Sequence, residues 1–139
     1  MAASLSAFLA QNARKIETTK FIASDRFKDA EGNPIPWEIG CITAGEANRI
    51  RQSCIRQTGK RGQVTQSFDA GAYQAKLAAR CTLYPSLDDM DLQDSYGVHT
   101  AEELIQTMLT PGEFEAYGAK VLEVNGFATT EEMVDEAKN

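Results

Sequence analysis

Apolar residues recur at helical spacing along most of this chain, and at alternating spacing in one early stretch. Leu5, Phe8 and Leu9 share one side of a short helix over Ser4–Asn12. A helix that short is not stable alone in water, so it must dock or fray. The β-branched and aromatic residues of Ile16–Ala23 predict a strand. Asp29–Ala30–Glu31–Gly32–Asn33–Pro34 is a turn by chemistry. A second strand follows, with Trp37, Ile39 and Cys41 on one face and Glu38 and Gly40 on the other. Pro34 and Pro36 cannot donate to a ladder, which puts the start of that strand at or near a sheet edge. The two strands make a β-hairpin with a long loop. A lone hairpin is marginal, so it is expected to lie on the helices and bury Trp37.

From Thr43 onward the pattern turns helical. Thr43 with Glu46 has the spacing of a capping box and opens a helix of about 13 residues, with Ala47, Ile50 and Cys54 inward. Gly59–Lys60–Arg61–Gly62 and the polar run to Ser67 read as a loop. Asp69 caps the next helix, with Tyr73, Leu77 and Cys81 on one face, and that helix must stop before Pro85. Ser86 with Asp89 opens a short turn of helix through Asp94, closed by Tyr96–Gly97. Two further boxes, Thr100 with Glu103 and Thr110 with Glu113, start two helices that meet at a corner, with Pro111 at a first helical position where its missing N–H costs nothing. Asn125–Gly126 supplies the left-handed stop, and Phe127 can fold back on the last turn. Thr129 with Glu132 caps a weak helix over Glu131–Lys138, and residues 128–139 read as a frayed tail. The sum is a single domain over residues 1–139: a mainly helical α+β fold of five to seven helices with an N-terminal β-hairpin.

Composition narrows the function. At 42% hydrophobic and 24% charged residues the chain has ordinary globular content, which argues against wholesale disorder. No window approaches the ~18 apolar residues that a membrane span needs. The basic residues of the N-terminus follow its apolar patch rather than precede it, so no export signal is read. Cys41, Cys54 and Cys81 contain no C-x-x-C pair and read as small buried hydrophobes in a reducing cytosol. Charge is polarised: residues 1–66 carry ten basic and six acidic side chains, net +4, and residues 67–139 carry four and fourteen, net −10. The overall −6 argues against nucleic acid as a partner, whereas the polarity suits docking with a protein or head-to-tail self-association.

No catalytic constellation emerges. His99 is the single histidine and has no partner at ligand or nucleophile spacing. Asp88, Asp89, Asp91 and Asp94 miss the calcium-loop spacing and its twelfth-position Glu, and acids at a helix N-terminus explain Asp88 and Asp89 without an ion. Gly59–Lys60–Arg61–Gly62 lacks the Ser or Thr that must follow the lysine of a phosphate loop. Neither metal nor cofactor is expected, and no enzymatic activity. Two candidate partner surfaces remain. Arg49, Arg51, Arg56, Lys60 and Arg61 place five positive charges within 13 residues. Phe114, Tyr117 and Val121, with Leu122, form an apolar helical stripe that is either core or a groove for a client helix.

The segment TMLTPGEFEAY…VLEVNGF, with LQDSYGV just before it and RFKDAEGNPIPWEI far upstream, resembles the XkdN-like tail assembly chaperones of phages and prophages. The resemblance runs from LSAFLAQNA to NGF. It implies a non-enzymatic chaperone that binds the tape measure protein, keeps that long helix soluble and helps recruit tail tube subunits. It places the protein in the host bacterial cytoplasm and outside the mature virion. The alternative is a minor structural or tail completion protein retained in the virion.

Overall fold

In the computed structural model, residues 5–127 are described. Strand β1 (Thr19–Phe21) pairs antiparallel with β2 (Trp37–Ile39), Thr19 opposite Ile39 and Phe21 opposite Trp37. The connection between them is organised by Asp29, whose Oδ1 accepts from the backbone N–H of Glu31 and Asn33, both at 2.9 Å. Gly32 sits at φ +87°, which suits a residue without Cβ. The hairpin expected from the sequence is therefore present, and Trp37 is buried.

Helix α1 (Ala44–Ser53) follows, then strands β3 (Ile55–Lys60) and β4 (Gln63–Phe68), helix α2 (Ala70–Cys81), strand β5 (Thr82–Tyr84), and helices α3 (Met90–Ser95), α4 (Ala101–Met108) and α5 (Pro111–Val124). β5 joins the free side of β2, giving a three-stranded sheet in the order β1-β2-β5. β2 is thus the central strand, not an edge. Pro34 and Pro36 precede it and leave its ladder intact.

The expectation of a mainly helical fold is corrected. Helix accounts for 44% and strand for 19% of the described residues, in two sheets, so the fold is α+β with a substantial strand component. The largest departure is the segment read as a loop from Gly59 to Ser67, which instead belongs to the two-stranded sheet β3–β4.

Helix starts agree closely with the local chemistry. Thr43, Asp69, Asp89, Thr100 and Thr110 each cap a helix by accepting from the backbone N–H three residues on. The box is complete only at Thr110, where Glu113 also accepts from the Thr110 N–H at 2.9 Å. Glu103 reaches instead to the His99 N–H, and Glu46 forms an ion pair with Arg80 that ties α1 to α2. α1 spans 10 residues rather than 13, with Cys54 as its C-cap. Asp89, not Ser86, caps α3. Gly126 at φ +89° ends α5, and the Phe127 N–H donates to the Leu122 carbonyl at 3.0 Å, a Schellman closure.

The core sits where α2, α4 and α5 meet the three-stranded sheet. Ile39, Leu77, Leu104, Ile105 and Val121 fill it around Trp37 and Tyr117. The Trp37 and Tyr117 rings meet edge to face at 5.2 Å, the arrangement that ring quadrupoles favour. The Tyr117 hydroxyl lies 2.5 Å from Thr82 Oγ1, and that hydroxyl donates to the Ala78 carbonyl at 2.7 Å. Burial pushes the Tyr117 phenol well above its ordinary pKa.

The expected N-terminal helix appears as a single 3-10 turn, Leu5–Phe8, closed by local bonds. Leu5 and Phe8 stay 77% and 78% exposed, so this turn does not dock on the body. The expected C-terminal helix Glu131–Lys138 lies outside the described residues.

Candidate partner-binding surface

Strands β3 and β4 form an arm. All of β4, and all of β3 except Ile55, is solvent-exposed. Its six pairs run from Ile55↔Phe68 at the root to Lys60↔Gln63 at the tip. The two-residue turn has Arg61 at φ +43° and Gly62 at φ +85°, the two positive angles of a type I′ hairpin. Close approach also dictates Gly59: a Cβ there would lie 2.0 Å from the Gln63 carbonyl oxygen. Thr65 Oγ1 donates to the Thr58 carbonyl at 2.9 Å, pinning the middle of the arm.

The root is firmly anchored. The Asp69 N–H donates to the Cys54 carbonyl at 2.9 Å, so the residue that caps α2 also closes the hairpin. Phe68 packs against Tyr73 with ring centroids 5.6 Å apart, and the Arg51 guanidinium lies over the Phe68 ring at 5.3 Å. Arg56 pairs with Asp69 at 3.1 Å.

The five basic residues singled out from the sequence therefore separate by role. Arg49 and Arg51 lie on α1, with Arg51 turned onto the arm root. Arg56 is held by Asp69 near the root. Lys60 and Arg61 stand at the tip, exposed, and join no ion pair among the described residues. Strand alternation places Arg56, Thr58 and Lys60 on one face of β3, with Gln57 and Gly59 on the other. Val64, opposite Gly59, is 65% exposed.

The apolar stripe resolves differently. Tyr117 is fully buried and Val121 nearly so, and Phe114 packs partly buried against the same core. Tyr117 and Val121 thus face inward on α5 as core residues, whereas Leu122 beside them is 37% exposed. The corner before α5 is also structural: Glu113 accepts from the Thr110 N–H and pairs with Arg26 at 3.3 Å. The Thr110 N–H, then a Ser24 hydrogen bond, and then Arg26 hold the Glu113 carboxyl down to about 2.

Elsewhere the surface offers little built chemistry. Among the described residues no group of three or more His, Cys, Asp or Glu side chains is placed to hold a metal, and no helix is long and apolar enough to cross a membrane. Cys54 and Cys81 are buried and Cys41 partly so. Burial pushes the Cys81 thiol upward, away from thiolate reactivity. His99 is exposed, beside the cap of α4. A small apolar cleft of about 150 Å³ opens between Phe27, Trp37, Tyr84 and Met108.

The chain is an α+β domain with a cored body and an exposed, positively tipped β-arm. A family model for the phage XkdN-like tail assembly chaperone protein matches residues 5–138, and the chain belongs to that family. It is 30% identical over 139 residues to the phage-like element PBSX protein XkdN of Bacillus subtilis strain 168, covering 97% of this chain and 93% of that relative. It is 27% identical to the uncharacterized protein YqbN of the same strain, over 96% of this chain and 91% of that one. The crystal structure of YqbN superposes with a TM-score of 0.78 at 25% identity, covering 92% of this chain and all of the solved one.

Proposed function

We propose that this protein is a non-enzymatic chaperone that binds the tape measure protein of a phage or prophage tail and helps recruit tail tube subunits to it. It acts in the host bacterial cytoplasm and leaves before the tail matures. Membership of the tail assembly chaperone family supports the reading, and the arm is the observation that carries it. An exposed two-stranded sheet has two unpaired outer edges, and a lone hairpin gains from a further partner. Lys60 and Arg61 at the tip add charge that speeds encounter with an acidic surface. Tyr117 and Val121 are taken up by the core, so client contact falls to the arm and to exposed apolar residues such as Leu5 and Phe8.

Co-expression tests this. A tagged copy of the chain is produced with the tape measure protein of the same tail, with and without the tube protein, and recovered by affinity. The reading requires soluble, stoichiometric tape measure protein in the eluate. An insoluble tape measure protein with the chaperone recovered alone contradicts it.

A further inference from the structure

We infer that the basic arm of one copy docks on the acidic α3 region of a second copy, so that the protein self-associates head to tail. The arm, residues 55–68, carries Arg56, Lys60 and Arg61 and no acidic side chain. Residues 84–95 carry Asp88, Asp89, Asp91 and Asp94 and no basic one. All four aspartates are exposed, and none joins an ion pair among the described residues. The chain therefore displays two oppositely charged surfaces, and apart from Arg56, which pairs with Asp69, their charged side chains join no ion pair among the described residues.

Apolar matter accompanies the charge on both sides. Val64 is 65% exposed on the arm, on the face away from Arg56 and Lys60, and Met90 is 75% exposed among the aspartates.

Geometry favours a second copy over an internal contact. The arm is rooted at the N-cap of α2, and the acidic segment begins after β5, beyond the other end of that helix. Twelve helical residues separate the two ends by about 18 Å. Different patches meet, not the same patch twice, so the contact is heterologous and propagates into a ring or an open file of subunits. This inference stands apart from the identity of the client, because both surfaces belong to this chain.

Sedimentation velocity of the full chain over a range of concentrations, at about 20 mM and about 500 mM salt, tests it, since the Debye length falls from tens of ångströms to a few across that range. Two variants are needed. Lys60→Glu with Arg61→Asp reverses the arm tip, aspartate being chosen because it tolerates the positive φ at position 61. Asp88→Lys with Asp91→Lys reverses the acidic surface and spares the cap residue Asp89. Wild type should form species larger than a dimer at low salt and dissociate at high salt. Each variant alone should stay monomeric with an unchanged circular dichroism spectrum, and an equimolar mixture of the two should associate again. A monomeric wild type overturns the inference. So does a salt-insensitive dimer, or association that survives the arm reversal or is not restored by mixing.

Discussion

The buried hydroxyl relay in the core gives the sharpest test of the packing. Tyr117 donates to Thr82 Oγ1 at 2.5 Å, because the Thr82 hydrogen is already committed to the Ala78 carbonyl. Tyr117→Phe removes one buried donor without changing the ring contacts to Trp37 and Phe21. A net hydrogen bond contributes about 0.5–1.5 kcal/mol, and the Thr82 oxygen is left one partner short, so the loss should be about 1–2 kcal/mol. For a chain of this length 1 kcal/mol is about 3–4 °C in melting temperature, which predicts a fall of about 3–8 °C. Thr82→Val should cost about 2–3 kcal/mol, since it strands both the tyrosine hydroxyl and the Ala78 carbonyl. In the Thr82→Val background, Tyr117→Phe should then be close to neutral, because the stranded hydroxyl is what it removes. Chemical denaturation of the four proteins, followed by Trp37 fluorescence, measures the cycle. If Tyr117→Phe costs the same in both backgrounds, the two hydroxyls do not interact and the relay is wrong.

Four other outcomes are expected. Thr110→Ala removes a completed capping box and should cost about 1 kcal/mol, within the ~0.5–2 range for caps, measured by denaturation. The Glu113 carboxyl is held at about 2 against an ordinary value of 4.5, so it stabilises the fold above about 4.5, and that contribution is lost as pH falls towards 2. Melting curves of wild type and Glu113→Gln should therefore converge at acid pH, and a constant gap from pH 7 to pH 2 would contradict the assignment. Gly59→Ala should disrupt the arm, given the 2.0 Å approach to Gln63, while the cooperative melt of the core persists; amide exchange at residues 55–68 reads this. Mass spectrometry of purified tails should find the protein absent, whereas stoichiometric recovery would favour a tail completion component.

How much of this was legible in the sequence depended on how local the cause was. Helix starts were legible because capping is settled within four residues, as at Asp69 and Thr110. The hairpin around Trp37 was legible because burial of one face leaves an alternating pattern. The arm was not. Neither of its faces is buried, so IRQTGK and QVTQSF carry no apolar alternation, and its turn is Arg61–Gly62 rather than the familiar Asn–Gly. Thr58, Val64 and Thr65 were the remaining strand signal. β5 was missed because three residues between a helix and a proline have no periodicity to read, yet they complete the central sheet. The basic cluster was visible as charge, but its division between root and tip depends on Phe68, Tyr73 and Asp69, contacts that only the folded chain brings together. The Phe114–Val121 stripe fits a core face and a binding face equally well by periodicity; the ring of Trp37 against Tyr117 is what marks it as interior.

The central claim is that this protein protects a long helical client through its arm. Light scattering during dilution of the tape measure protein from denaturant tests it most directly, with increasing ratios of wild-type chain or of the Lys60→Glu, Arg61→Asp variant. Wild type should suppress scattering to a plateau at a fixed stoichiometry, and the variant should need a large excess to do the same. Equal scattering with and without the wild-type chain would contradict the chaperone reading, and equal protection by the variant would remove the arm from it.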